Sequence, residues 1–144
     1  MKTTIFNSVN LEINDNLKFF ISEDDNTPTI TNEDETFKVM FYHKKINPVL
    51  LAIANKNAMR DRIAFDFAGE NPTFRRGENY TIYVAGKKRL GLRYNYEIDG
   101  VKKFGESIII IKGGDYYVVS SNYLESINEY GQDTFLEILK GISL

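Results

Sequence analysis

A chain of 144 residues that is 42 % hydrophobic and 13 % aromatic has enough apolar material for one packed core, which excludes wholesale disorder. It holds no cysteine, so disulfide frameworks, thiolate zinc sites and cysteine nucleophiles are excluded together. The net charge of −2 says little, but residues 12–35 carry about −7 and residues 75–103 about +5, a dipole along the sequence.

The chain begins Met1-Lys2-Thr3-Thr4-Ile5-Phe6-Asn7, which turns polar too early for the apolar stretch of a secretory signal. Ile108 to Ile111, the longest strongly apolar run, falls far short of the roughly 20 residues of a membrane helix. These features lead us to expect a soluble protein made in the cytoplasm, without membrane contact.

Thr3 to Ile21 alternates loosely between apolar and polar residues, as half-buried strands do. Ser22 to Glu35, acidic around Asn26-Thr27-Pro28, reads as a loop. Phe37, Val39 and Phe41 alternate with Lys38, Met40 and Tyr42 and predict a strand. Residues 47–60 are open to either a helix capped at Asn47 or a strand. We favour the strand for 47–54, because Ile63, Phe65 and Phe67 predict another that would pair with it. Gly69 to Gly77 reads as a loop, and Tyr80 to Val84 as a strand. Leu90, Leu92, Tyr94, Tyr96 and Ile98 then alternate without a break into Asp99-Gly100, a pair suited to a two-residue hairpin turn. Val101 to Phe104, Ile108 to Ile111 and Tyr116 to Val119 follow as strands. At the end the period changes. Asn122 and Glu125 resemble a capping box, Gly131 should interrupt the helix, Asp133 could restart it and Gly141 should close it.

Eight or nine strands followed by a helix predict a mainly β fold: an antiparallel β-sandwich over about residues 1–120 with a C-terminal helical segment over about 122–141. We expect one domain spanning 1–144.

Chemistry is sparse. His43 is the only histidine and cannot make a zinc site by itself, so it reads as a surface residue. Glu23-Asp24-Asp25-Asn26 lacks the ligand spacing of a calcium loop and reads as solvated. No Gly-x-Ser-x-Gly elbow surrounds Ser107, Ser120 or Ser121, and nothing in the sequence singles out a pair of catalytic carboxylates. Gly86 to Gly91 lacks the lysine of a phosphate loop. No catalytic, metal or cofactor residues are therefore assigned, and we expect no enzyme.

One stretch does suggest binding. Arg75, Arg76, Lys87, Lys88, Arg89, Arg93, Lys102 and Lys103 are interleaved with Tyr83, Tyr94, Tyr96 and Phe104. Cations neutralise phosphates and aromatic rings stack on bases, so these eight form a candidate basic surface for nucleic acid. Against this, Tyr94 and Tyr96 share the parity of the core-facing leucines, and Arg93 shares that of Glu97 and Asp99. A solvated strand face is the reading we adopt.

Residues 36–112 resemble the immunoglobulin-like domains of bacteriophage tail and baseplate proteins. The resemblance rests on Thr36 to Phe41, Arg62 to Phe67, Gly77-Glu78-Asn79-Tyr80-Thr81-Ile82-Tyr83, and Phe104-Gly105 running into Ile108 to Ile110. It implies an immunoglobulin-like sandwich and a scaffold binding other virion or assembly proteins, with self-association as one form of contact. The expected function is thus a non-enzymatic structural or adaptor protein of a virion. The alternative is a nucleic-acid-binding accessory or inhibitor protein using residues 75–103, and a two-carboxylate hydrolase trails both.

Overall fold

The structure, a computed structural model, describes residues 1–24, 26–45 and 56–144. Two short strands, β1 (Lys2–Ile5) and β2 (Val9–Glu12), form a hairpin, and β10 (Ile142–Ser143) adds to β2 to complete a three-stranded antiparallel sheet. The large sheet contains β3 (Phe19–Asp24), β4 (Thr27–Asn32), β5 (Phe37–Lys45), β6 (Arg75–Val84), β7 (Lys87–Ile98), β8 (Val101–Lys112) and β9 (Asp115–Leu124). Its seven strands lie in the order β3-β4-β5-β9-β8-β7-β6, and every neighbouring pair is antiparallel. Helix α1 spans Lys56–Glu70; a 3₁₀ turn, Glu125–Ile127, leads into α2, Asn128–Lys140.

Tight turns set the registers of the meander. Asp99 and Gly100 both adopt positive φ, 51° and 78°, as the two-residue β7–β8 turn requires. Ala85 and Gly86 repeat that geometry between β6 and β7, at 52° and 77°.

The register then sorts side chains onto two faces. One face of the large sheet presents Phe37, Val39, Phe41, Val119, Ile108 and Ile110. It is closed by Phe135, Ile138 and Leu139 of α2, together with Val9, Leu11 and Ile142 of the small sheet. Each of these buried side chains stabilises the fold by about 1.5–3 kcal/mol. The other face carries a smaller cluster in which Leu92 and Tyr94 meet Ala64, Phe67 and Phe74 beneath α1. The molecule is mainly β, but helices cover both faces of its large sheet.

That arrangement corrects the sandwich expectation. Ile108 to Ile111 is a continuous apolar run because β8 is covered on both sides; Ile108 and Ile109 point opposite ways and both are buried. Ile63, Phe65 and Phe67 are not a strand. They lie in α1, where Arg60, Ile63, Ala64 and Phe67 form the inward helical stripe and Phe65 is 71 % exposed. The preferred strand over 47–54 lies outside the described residues, apart from the 56–60 end of that ambiguous stretch, which is helical. The predicted acidic loop is largely the β3–β4 hairpin, and β8 is one strand where two were expected.

The C-terminal helix is present but starts later. Asn122 lies in β9, no side chain caps α2, and Asp133 sits within an unbroken helix closed at Gly141. Gly131 does not interrupt it. A Cβ there would strike the Tyr123 ring, so glycine lets the helix lie close on β9. The helix docks on its own sheet, not on a neighbour.

Candidate functional site

The eight cations of the predicted basic surface do not share a surface. Arg89 is buried, with its guanidinium donating to the carbonyl oxygens of Val84 and Ile111 at 3.1 and 3.3 Å. Both faces of β7 are covered there, so a residue off the leucine parity is buried as well. Arg76 pairs with Asp61 of α1 at 2.8 Å. Arg93 pairs with Glu78 and, through Nε at 2.9 Å, with Glu106. Lys87 and Lys88 open β7 at the end opposite Lys103, whose register partner is Tyr96. Eight residues of strand, about 27 Å, separate Lys88 from Tyr96.

Arg75, Lys102 and Lys103 do converge. They line a cleft of about 760 Å³ at the end of β6, β7 and β8, within the size range of ligand pockets. Local structure explains the convergence. The Asp99-Gly100 turn sets Lys102 opposite Glu97 and Lys103 opposite Tyr96, and β6 pairs Arg75 with Asn95 on the adjoining strand. Thr73 pins the entering loop, its hydroxyl donating to the Glu97 carbonyl at 2.9 Å and accepting from the Glu97 N–H at 2.7 Å. Phe74, Tyr96 and Phe104 supply ring surface. Burial, with Tyr42 nearby, pushes the Tyr96 hydroxyl up to about 12, so it stays a protonated donor. Glu97 and Glu125 also line the cleft. Among the described residues, none of the three cations has an ion-pair partner.

A second polar centre lies behind β7. Glu106, 3 % exposed, accepts from Arg93 Nε at 2.9 Å, from the Tyr80 hydroxyl at 3.1 Å and from the Tyr123 hydroxyl at 3.3 Å. The Arg93 guanidinium also lies 4.4 Å from the centre of the Tyr80 ring. Burial pushes both tyrosines up, and the Glu106 charge adds to the effect. With every member satisfied, this network ties β6, β7, β8 and β9 together. Sequence reading missed it, although a signal was present: Glu106 shares the parity of core residues Ile108 and Ile110.

His43 is not simply a surface residue. Its Nε2 lies 2.9 Å from Asp115 Oδ1, and its ring stacks on Tyr117 at 4.7 Å. Ser8 is close by, but its hydroxyl pairs with that of Tyr117 rather than with the imidazole, so no nucleophile–base pair is assembled. Among the described residues, no three His, Asp or Glu side chains gather as a metal site would require. Nor is any described helix long and apolar enough to cross a membrane.

The architecture defines a structural class: an open antiparallel sheet of seven strands with helices packed on both faces. Solved structures similar to it include the following three. CyanoP, the cyanobacterial PsbP of Synechocystis sp. PCC 6803, matches with a TM-score of 0.66 at 6 % identity, over 95 % of this chain and 92 % of that one. PA94 of Pseudomonas aeruginosa, a protein of unknown function, matches at 0.56 and 11 %, over 97 % and 93 %. LpqN of Mycobacterium tuberculosis, involved in cell envelope biogenesis, matches at 0.53 and 12 %, over 94 % and 82 %. At such identities the likeness concerns the fold alone. No family model matches the chain, and no curated protein does. The resemblance to immunoglobulin-like phage tail domains is thereby corrected, since the chain shares its architecture with these proteins. One segment that carried that resemblance, Arg62 to Phe67, is helical.

Proposed function

We propose that this chain is a non-enzymatic binding or adaptor protein that acts through protein–protein contacts and holds an acidic, aromatic-bearing peptide segment of its partner in the β6–β8 cleft. The observation that carries this reading is the cleft lining: three cations without ion-pair partners among the described residues, beside three aromatic rings. Cations and rings suit carboxylates and aromatic side chains presented by an extended segment. Glu97 and Glu125 give the lining mixed charge, which suits a peptide better than a phosphate backbone. A nucleic-acid track would also draw on Lys87 and Lys88, which sit at the far end of β7.

Fluorescence anisotropy with labelled Glu/Tyr-rich peptides tests the proposal. Replacing Lys102 and Lys103 together with alanine should weaken binding about tenfold, since two rim ion pairs contribute about 0.2–1 kcal/mol each. Replacing Lys87 and Lys88 should leave it unchanged. Absence of peptide binding, or equal losses in the two variants, refutes the proposal. Tighter binding of a single-stranded oligonucleotide, lost equally in both variants and steeply with salt, would favour nucleic acid instead.

A further inference from the structure

Among the described residues the large sheet has two edges, β3 and β6, with no strand paired to their outer sides, and they are built differently. At the β6 edge the register breaks between Arg76 and Asn79, and Arg75, Arg76 and Glu78 stud the strand. A bulge and charged residues both oppose pairing with another chain. The β3 edge lacks these defences along its apolar half. Its register with β4 runs unbroken from Phe19 to Asp24, Phe20 is 61 % exposed and Ile21 40 %. No described strand pairs with its outer side.

We propose that β3 is closed by β3 of a second copy, antiparallel about a two-fold axis normal to the sheet, joining two seven-stranded sheets into one. Charge argues for this occupant and direction. The strand enters from Lys18 and leaves through Glu23, so a parallel neighbour would set like against like, whereas a two-fold sets the cationic end against the acidic one. Facing fixes the register, because directly opposed residues must lie on the same face. Ile21 shares the face of Ile30, and Phe20 that of Thr31. Centring the axis on Ile21 sets that residue against itself and each Phe20 against Ser22 of the other copy. Both exposed apolar side chains then enter a seam.

The seam lies at the opposite edge of the sheet from the cleft, so it stands or falls separately from the peptide reading. Because the chain has no cysteine, single thiols give a clean test. Sedimentation velocity should show a dimer fraction that rises with concentration, and Ile21→Lys should abolish it while circular dichroism stays unchanged. Mild oxidation should cross-link Ile21→Cys, whose β-carbons would lie about 4.5–5.5 Å apart across the axis. Tyr83→Cys, on the exposed face of β6, should stay uncross-linked. A wild-type chain that is monomeric up to about 1 mM, or cross-linking of Tyr83→Cys as fast as Ile21→Cys, overturns the assignment and leaves that edge to a strand from another protein.

Discussion

Glu106→Ala offers the sharpest test of how the large sheet is held together. The substitution removes the acceptor for Arg93 Nε, for the Tyr80 hydroxyl and for the Tyr123 hydroxyl. Breaking a buried ion pair from one side costs about 3–5 kcal/mol. Here Arg93 keeps Glu78 and its side chain is 37 % exposed, so water and Glu78 recover part of that cost. Two orphaned hydroxyls add about 1 kcal/mol each, the low end for a buried donor. The expected loss is about 3–4 kcal/mol, or a fall in Tm of about 10 °C for a chain of this length. Urea unfolding followed by circular dichroism measures it directly. Glu106→Gln keeps an acceptor at the same place and should lose only about 1–2 kcal/mol. A loss below about 1 kcal/mol for Glu106→Ala, or equal losses for both variants, would refute the claim that this carboxylate holds the strands.

Other expectations follow from the same packing. Phe67→Ala should destabilise the fold by about 3 kcal/mol, whereas Phe65→Ser should be near neutral in urea unfolding. Equal losses would contradict the helical register of α1. Stability should also fall as pH rises past about 10. Unfolded tyrosines ionise there, while burial raises the hydroxyls of Tyr80, Tyr94, Tyr96 and Tyr123 and keeps them protonated in the folded chain. The fold then binds more protons than the unfolded chain, so stability falls with rising pH, most steeply once the unfolded tyrosines are fully ionised. Urea midpoints that stay constant from pH 8 to 11 would contradict this.

Strand positions were legible where local chemistry decided them. Phe37 to Phe41, Tyr80 to Val84 and Leu90 to Ile98 were set by alternation, and each lies in a strand as expected, with Asp99-Gly100 forming the turn that ends the last of them. What alternation hides is a strand covered on both faces. In β7 the leucine parity faces α1, yet Arg89 on the other parity is buried too. A candidate surface built on one buried face therefore included a core guanidinium. The segment around Ile63 failed differently: three apolar residues at spacing two also fit one turn and a half of helix, and the stripe through Arg60, Ile63, Ala64 and Phe67 prevailed. The cleft was partly legible, since Arg75, Lys102 and Lys103 were named. Thr73, Asn95 and Glu125 reach it only through tertiary pairing, which no local pattern encodes.

The central claim is that peptide recognition occurs at the open end of β6, β7 and β8. Two-dimensional ¹H–¹⁵N spectra of the chain, titrated with a Glu/Tyr-rich peptide, locate the contact most directly. The account predicts that amide shifts concentrate at Arg75, Tyr96, Lys102, Lys103 and Phe104 and leave Lys87 and Lys88 unmoved. Shifts centred on Lys87 and Lys88, or none at saturating peptide, would contradict it.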